Sequence, residues 1–305
     1  MKALNASAGT NETIHVKALI YGKPGTGKTT LGVTAPAPLI LLSERQALTH
    51  VRHAVARSGQ AGAQVIYMET LEDYRNVLRT LMMGTHNPAL RSGPFVVRDA
   101  HGVVLYEHPT WPQSIVLDSL TDACRLVDDE IQLQAPPKKG KDGLDVQAER
   151  YWQALGDRCE RLIRAFRDVD FHVLYLCLED DKMIGEGDQA ERQVGPSLPM
   201  RKLASTVAAA VNVVGIMARS IVHGQGVEAD VRFGVRTVGP QHCLLKPYRP
   251  LADLEIPDFT SWVTRINAAI TEGDHAPAAQ PKPRRKPGAT ETPSQKTAKQ
   301  ETPKP

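Results

Sequence analysis

A glycine-rich stretch near the beginning of the chain has the residue types and spacing best suited to chemistry. Residues 22–29, GKPGTGKT, match the pattern G-x-x-x-x-G-K-[ST]. Glycines at this spacing allow positive φ angles, so backbone N–H groups can approach phosphate oxygens without an intervening Cβ. Lys28 can reach the β- and γ-phosphates of a nucleotide, and the hydroxyl of Thr29 can bind Mg²⁺. The predicted nucleotide-binding residues are Gly22, Lys23, Pro24, Gly25, Thr26, Gly27, Lys28, Thr29 and Thr30.

The segments on either side of this loop have the order that a phosphate-binding loop requires. Residues 16–21, VKALIY, form an apolar run that predicts a strand, and residues 27–35 predict a helix that Pro36 ends. A strand, a glycine loop and a helix in this order support the motif. The sequence contains no N-K-x-D motif for reading guanine, which favours ATP over GTP as the nucleotide.

Two carboxylates follow apolar runs that predict strands. Asp118 ends the run SIVLD, and in P-loop proteins such a carboxylate holds Mg²⁺ directly or through water. Thr29 and Asp118 are therefore the predicted metal ligands, and Ser119 either assists them or caps the next helix. Glu44 follows the run PLILLS and could orient or deprotonate a water molecule. The alternative for Glu44 is an ordinary solvent-exposed position.

Two further charged pairs come after predicted strands. Glu179 and Asp180 follow the apolar run at residues 171–178, where P-loop ATPases often carry a polar sensor of the γ-phosphate. The alternative for these two acids is a salt bridge at the edge of a loop. Lys246 and Arg249 follow a late predicted strand and could neutralise phosphates, including those held by a neighbouring subunit. The alternative for this pair is a surface position without a ligand.

The rest of the chain alternates between strand-like and helix-like segments, which predicts an α/β fold with a mostly parallel central sheet flanked by helices. Strands are predicted at residues 38–43, 63–68, 114–119, 171–178, 211–218, 229–237 and 242–246, with a hairpin at 94–107. Helices are predicted at residues 46–58, 70–83, 147–168, 201–210 and 258–271, with one more ending near 133. Polar loops are predicted at residues 134–146 and 182–199.

Composition divides the 305-residue chain into three predicted parts. These are a flexible N-terminus at residues 1–13, one domain at 14–272, and a disordered tail at 273–305 that is rich in Pro, Lys and Thr. From residue 276 onward the tail has seven basic residues and two acidic ones. It is either a solubilising segment or an arm that adds salt-sensitive affinity for nucleic acid. The formal charge of +3 is too small to indicate a nucleic-acid partner by itself.

Membrane and secretion signals are lacking in the sequence. No run of about 18 apolar residues is present, and the first residues lack the apolar segment of a signal peptide. The four cysteines, at positions 124, 159, 177 and 243, are far apart and form no C-x-x-C pair. They are typical of reduced core thiols. We therefore predict a cytoplasmic protein without a membrane partner.

With these residues placed, the chain resembles phage-encoded nucleotide-binding proteins that have a shortened RecA-like P-loop ATPase core. Some members of that family act as ATP-dependent single-strand annealing proteins in recombination. The resemblance covers about residues 14–270. It rests on KALIYGKPGTGKTTL (17–31), LILLSERQAL (39–48), SIVLDSLTDA (114–123), and the order of YWQALGDRCERLIRAFR (151–167), PMRK (199–202) and LLKPYRP (244–250).

This resemblance implies a RecA-type P-loop fold and Mg²⁺-dependent ATP hydrolysis, with Glu44 and Lys28 as the catalytic residues. It also implies single-stranded DNA as a partner, a single-strand binding protein as a candidate second partner, and a homo-oligomer. In such an assembly Lys246 and Arg249 are the candidates for contacting the neighbouring subunit's ATP. The expected process is phage recombination by strand annealing.

The sequence departs from the family pattern in two places. Glu179 stands where a neutral sensor is usual, and four acids in or beside the 182–199 loop weaken the expectation of DNA contact there. The 134–146 loop is more basic. Two alternative functions therefore stay open at this stage. One is a non-hydrolysing nucleotide-dependent scaffold or loader in DNA replication. The other is a P-loop small-molecule kinase, although the 182–199 loop has only one arginine where a kinase lid would be arginine-rich.

Overall fold

The computed structural model describes residues 14–60, 62–134, 138–139, 145–146, 149–184, 190–222 and 230–273. The predicted flexible N-terminus, most of the predicted basic loop at 134–146, and the predicted tail beyond residue 273 lie outside these residues.

Strands are spread along most of the described chain. In chain order they are β1 (Lys17–Gly22), β2 (Pro38–Leu42), β3 (Gln64–Tyr67), β4 (Phe95–Arg98), β5 (Val104–His108), β6 (Ser114–Asp118), β7 (Lys138–Lys139), β8 (Asp145–Val146), β9 (His172–Ile184), β10 (Glu191–Pro196), β11 (Val213–Val222), β12 (Asp230–Arg236) and β13 (Leu254–Glu255). Strands β1, β2 and β6 are buried along nearly their whole length without alternation, as expected of strands that are covered on both faces.

Helices connect the strands of the main sheet. They are α1 (Lys28–Val33), α2 (Ala47–Ser58), α3 (Leu71–His86), α4 (Leu120–Gln134), α5 (Glu149–Arg167), α6 (Arg201–Ala210) and α7 (Phe259–Gly273). The predicted start of α3 is confirmed by a capping box. Thr70 accepts a hydrogen bond from the Asp73 N–H, and the Asp73 carboxylate accepts one from the Thr70 N–H.

Six parallel strands form the centre of the molecule. They lie in the order β3-β2-β6-β9-β1-β11, and every neighbouring pair is parallel. Strands β12 and β13 extend the β11 edge in antiparallel pairing. The predicted α/β P-loop fold with a mostly parallel sheet is therefore confirmed. In this topology the carboxyl ends of β1, β2, β6 and β9 share one edge of the sheet, where α/β folds bind ligands.

The two strands that flank β1, which are β9 and β11, extend beyond the end of β1. Each extension pairs with an antiparallel strand and forms an arm. The last two residues of β1, Tyr21 and Gly22, pair with β11 and β9 respectively. Beyond these pairs, residues 179–184 pair with β10 and residues 217–222 pair with β12. We name these extensions the β9–β10 arm and the β11–β12 arm. The loop that follows β1 therefore begins between two arms.

Two apolar layers cover the sheet, one on each face. Alternate residues of β1 show the division, because Leu19 and Tyr21 pack with residues of α3, α4, α5 and α6, whereas Ala18 and Ile20 pack with residues of α1, α2 and α7. This alternation is the period-two pattern of a strand that is buried on both faces. The two layers hold the sheet rigid and fix its carboxyl edge.

All four cysteines lie within the described residues. Cys124, Cys159 and Cys177 are buried, Cys243 is half-buried, and all four are free thiols. None of the helices in the described ranges is long and apolar enough to cross a membrane.

Two predictions about segments were wrong. The predicted polar loop at residues 182–199 contains the end of β9 and all of β10, which pair with each other. Charged side chains line both segments, so they lack the apolar alternation that indicates a strand. The predicted strand at residues 242–246 forms only isolated bridges, to Val194 and to Val214. Its apolar residues cover the core without joining a ladder.

Candidate active site

The glycine loop connects β1 to α1 and contains two glycines in the left-handed backbone conformation. Gly25 has φ 75° and Gly27 has φ 92°, a region that favours glycine. Gly22 is required for another reason, since a Cβ there would lie 2.6 Å from the carbonyl oxygen of Met217. Within the loop, the Thr26 hydroxyl donates to the Lys23 carbonyl at 2.8 Å. These constraints curl the backbone into a cradle whose N–H groups can surround an anion.

Lys28 lies inside this cradle. Its Nζ donates to the carbonyl oxygens of Gly22 at 2.8 Å and Lys23 at 2.9 Å. Burial lowers the pKa of Lys28, and the nearby acids Asp118 and Glu179 partly oppose that shift. The ammonium group is thus held at the centre of the loop, where phosphate groups would lie. The loop's remaining predicted residues, Pro24 and Thr30, are exposed.

Thr29 and Asp118 meet although they are far apart in the sequence. The Thr29 hydroxyl donates to Asp118 Oδ2 at 2.7 Å, because β6 ends at the same edge of the sheet as β1. Burial raises the pKa of Asp118, while the hydrogen bond from Thr29 and the charge of Lys28 lower it. The peptide bond between Asp118 and Ser119 is cis.

The pair Thr29 and Asp118 fits Mg²⁺. Both groups offer hard oxygen donors, and Mg²⁺ in nucleotide sites is usually held by one or two protein oxygens together with phosphates and water. In the described part of the chain, no group of three or more His, Cys, Asp or Glu residues could form a metal cage. The donor set therefore suits a magnesium ion shared with a nucleotide rather than a site made by the protein alone.

Ser119 has a structural place at the start of α4. Its hydroxyl accepts a hydrogen bond from the Asp122 N–H at 3.2 Å and donates to the Asp122 carboxylate. This is the geometry of a helix N-cap. Of the two roles considered for Ser119, the structure thus shows the capping role.

Glu44 lies apart from the loop in the described structure. It follows β2, the strand next to β6, and its side chain is exposed. With Arg45, Glu69 and Asp122, it lines a shallow cavity different from the one beside the glycine loop. Its charge nevertheless contributes to raising the pKa of Asp118. Glu44 is therefore near the carboxyl edge, but its carboxylate makes no hydrogen bond with any residue in the described ranges, and only its backbone carbonyl accepts one, from the Ala47 N–H.

The first residues of the β9–β10 arm border the loop. Glu179 opposes the lowering of the Lys28 pKa, so its carboxylate is close enough to act on the lysine charge. Asp180 forms an ion pair with Lys182 at 2.6 Å. Asp181 forms a two-bond ion pair with Arg192, at 2.9 and 2.7 Å. Ion pairing within the arm accounts for Asp180, whereas Glu179 lies within reach of the Lys28 charge.

Lys246 and Arg249 are placed away from the glycine loop. Lys246 Nζ donates to carbonyl oxygens at the end of α6, those of Ala208, Ala209 and Val211, which satisfies the last turn of that helix. Arg249 is exposed. Neither residue lines the cavity beside the loop.

Sequence reasoning missed a group of residues that complete this cavity. Its volume is about 430 Å³, and beyond the loop it is lined by His50, His53 and Arg57 of α2, with Met217, Phe233 and Pro257. The three α2 positions are far in sequence from Met217, Phe233 and Pro257, and the set as a whole matches no motif. Phe233 reaches the loop through the pairing of β11 with β12, which has no signal in the local sequence.

Solved structures resemble the chain only at low similarity. An ATPase from the type III secretion system of pathogenic bacteria is 14% identical, with a TM-score of 0.34 over 67% of this chain and 51% of that one. EscN of enteropathogenic E. coli is 10% identical, with a TM-score of 0.37 over 67% and 43%. FlaH of Methanocaldococcus jannaschii is 10% identical, with a TM-score of 0.33 over 78% and 83%. This chain spans about half the length of the two secretion ATPases.

No curated protein matches the chain in sequence. A family model described as AAA domain matches residues 14–241. That range contains the glycine loop, Glu44 and Asp118, and it covers most of the chain. The chain therefore carries a P-loop ATPase domain and belongs to the AAA domain family AAA_24.

Proposed function

We propose that the protein binds ATP with Mg²⁺ at the glycine loop and hydrolyses it. The observation that carries this proposal is the meeting of Lys28, Thr29 and Asp118 at one point of the sheet edge. Thr29 Oγ1 and Asp118 Oδ2 are 2.7 Å apart beside a lysine enclosed by its own loop. This set provides a cation for the phosphates and oxygen ligands for a metal.

The proposed chemistry is positional and electrostatic. The backbone N–H groups of the loop and the Lys28 ammonium neutralise the β- and γ-phosphates in the transition state. Thr29 and Asp118 would hold Mg²⁺, which would supply further positive charge for the phosphates. Glu44, at the end of β2, serves as the proposed base that orients water, and a rearrangement or a neighbouring subunit is needed to bring its carboxylate to the γ-phosphate. Arg249 of a neighbouring subunit, or Lys246 once it leaves the carbonyl oxygens at the end of α6, completes the site in a homo-oligomer.

We further propose single-stranded DNA as the partner and strand annealing in phage recombination as the process, with a single-strand binding protein as a second partner. The support for this finer proposal is the sequence resemblance given above. The described cations of the β9–β10 arm, Lys182 and Arg192, are both paired with aspartates. Contact with DNA is therefore assigned to other basic segments of the protein.

The ATPase rate with and without single-stranded DNA tests both levels of the proposal. We expect Mg²⁺-dependent phosphate release that single-stranded DNA increases. Raising the salt concentration should reduce the increase, because phosphate contacts release counterions. Turnover without any response to DNA would remove the annealing role and keep the ATPase. An absence of turnover with and without Mg²⁺ would contradict the hydrolysis itself.

A non-hydrolysing nucleotide switch is the second candidate, and the exposed position of Glu44 favours it. Glu44 lines a cavity separate from the one beside the glycine loop, so an active base requires a rearrangement or a neighbouring subunit. A switch of this kind would bind ATP tightly and release no phosphate. Single-turnover measurements with radiolabelled ATP separate the two candidates.

A further inference from the structure

The cavity beside the glycine loop extends well past the phosphate-binding residues. One side consists of Gly25, Gly27 and Lys28 to Thr30. Away from them the cavity passes between α2 and the β11–β12 arm. A triphosphate bound at Lys28 would fill only the part next to the loop, since the cavity volume is about 430 Å³. The remaining space is large enough for the nucleoside part of a nucleotide.

Phe233 forms the apolar wall of this remaining space. It lies in β12 opposite Arg219 of β11, and its side chain is 40% exposed. A Cβ placed on Gly27 would be 3.6 Å from Phe233 Cδ1 and 3.3 Å from Met217 Cε. The ring is thus in contact distance of the phosphate loop while much of its surface stays open. An exposed aromatic ring in such a position is suited to stacking on a base.

The opposite wall of the cavity is formed mainly by histidine and arginine side chains rather than by an aromatic hydrocarbon ring. His50, His53 and Arg57 come from one side of α2, with Ala54 between them. Of the described side chains that line the cavity, none is a carboxylate or an amide. The walls therefore combine one aromatic surface with donors that can bind ribose hydroxyls or the α-phosphate.

We propose that this cavity is the nucleoside site of the protein, with Phe233 stacking on the base and α2 facing the ribose. The inference rests on the proposed nucleotide site and adds what the glycine motif cannot supply, namely a binding surface for the part of the ligand beyond the phosphates. It also assigns a role to the β11–β12 arm. Strand β12 of the arm places Phe233, which forms one wall of the cavity, next to the glycine loop.

The test compares two ligands that differ only beyond the phosphates. Full-length protein is titrated calorimetrically with ATP and with inorganic tripolyphosphate, each with Mg²⁺. Phe233→Ala should weaken ATP binding by about tenfold or more, because stacking of a base on an aromatic ring contributes about 1–3 kcal/mol. The same variant should bind tripolyphosphate as the wild type does. Phe233→Tyr keeps the ring and should retain ATP affinity.

The outcomes distinguish this inference from the function on which it rests. If the wild type binds neither ligand, the proposed nucleotide site itself fails. If the wild type binds both and Phe233→Ala leaves ATP affinity unchanged, or weakens both ligands equally, the stacking role is overturned. Ile256→Ala is the matched control, since Ile256 is an exposed apolar side chain next to Pro257 that does not line the cavity.

Discussion

Two lysines near opposite ends of β1 have nearly the same immediate surroundings. Lys17, at the start of the strand, and Lys28, after the loop that follows it, are 9% and 8% exposed. Each Nζ donates to two backbone carbonyl oxygens. Those of Lys17 belong to Val169 and Phe171, at 2.7 and 2.5 Å. Burial lowers the pKa of both lysines, that of Lys17 to about 7.

The two sites differ in what lies beyond the hydrogen bonds. The acceptors of Lys17 are in the tight turn between α5 and β9, so its ammonium ties two elements of the core together. The acceptors of Lys28 are in its own loop, and the residue lines an open cavity near Asp118. Burial and hydrogen bonding alone therefore do not identify a functional lysine. A nearby carboxylate alone does not either, since Asp168 and Asp170 act on the charge of Lys17. Open space for a ligand, next to the hydrogen-bonded oxygens of Thr29 and Asp118, distinguishes Lys28.

The largest expected effect is on turnover, from Lys28→Ala. Removing the cation that faces the phosphates should lower the ATPase rate by about a hundred- to a thousandfold, in line with the loss of one preorganised electrostatic group. The unfolding temperature should change little, because Lys28 lines an open cavity, so water can enter and replace its hydrogen bonds to the two carbonyl oxygens. Steady-state phosphate release and thermal unfolding measure both quantities. Lys202→Ala, which removes an exposed lysine, is the control.

Glu44→Gln should have the next largest effect. Loss of a general base typically costs a hundredfold or more, so we expect turnover to fall by about a hundredfold while ATP binding is retained. Glu69→Gln is the matched control, because Glu69 lines the same cavity and pairs with Arg45. Equal turnover in the Glu44→Gln variant and the wild type would place the base elsewhere.

Lys17→Met should affect stability rather than turnover. It leaves the Phe171 carbonyl without its side-chain donor, so we expect a loss of about 1–3 kcal/mol in the free energy of unfolding. ATP affinity should stay unchanged. Urea unfolding monitored by circular dichroism gives the stability. A variant as stable as the wild type would remove the structural role of this lysine and with it the contrast with Lys28.

The pH dependence of stability gives a second test of Lys17. Its pKa of about 7 in the folded chain is below the usual value near 10.4. Between these two pKa values the unfolded chain binds the proton and the folded chain does not, so stability rises with pH by roughly 1 kcal/mol per unit. We expect Lys17→Met to lose this rise between pH 7 and 10. An identical slope in both proteins would contradict the assignment.

His172, at the same end of the sheet, should give the smallest effect. Its Nδ1 accepts a hydrogen bond from the Val16 N–H at 3.0 Å, and burial lowers its pKa to about 4. The neutral ring is thus favoured in the folded state. As pH falls from about 6.5 towards 4 the unfolded chain gains a proton first, so stability should drop by roughly 1 kcal/mol per unit. His172→Gln should flatten this drop, whereas His86→Gln, at an exposed position, should not.

The features that depend only on the spacing of neighbouring residues could be predicted from the sequence. The loop at residues 22–29, the carboxylate at the end of SIVLD and the capping box at Thr70 each depend on local spacing, which the sequence displays directly. Parallel strands then bring Thr29 and Asp118 together, because their carboxyl ends share an edge. For Ser119, local spacing left two roles open, and the observed N-cap is one of them.

The parts that depend on antiparallel pairing outside the sheet could not be predicted. The β9–β10 arm is too charged to show strand alternation, and the ion pair between Asp181 and Arg192 forms only because β10 folds back on β9. Phe233 reaches the glycine loop because β12 folds back on β11. Lys246 resembled a free cation in sequence, but it satisfies carbonyls at the end of α6. These three outcomes are set by tertiary pairing, which has no local signature.

Calorimetric titration of Mg²⁺ and ATP into the wild type, Lys28→Ala and Lys17→Met tests the contrast between the two lysines most directly. At a temperature where both are folded, we expect the wild type and Lys17→Met to bind ATP with equal affinity. We expect Lys28→Ala to bind ATP about a hundredfold more weakly, because it loses a charge-assisted contact with the phosphates. Binding of ATP to folded Lys28→Ala with wild-type affinity would contradict the assignment of the phosphate site to the loop after β1.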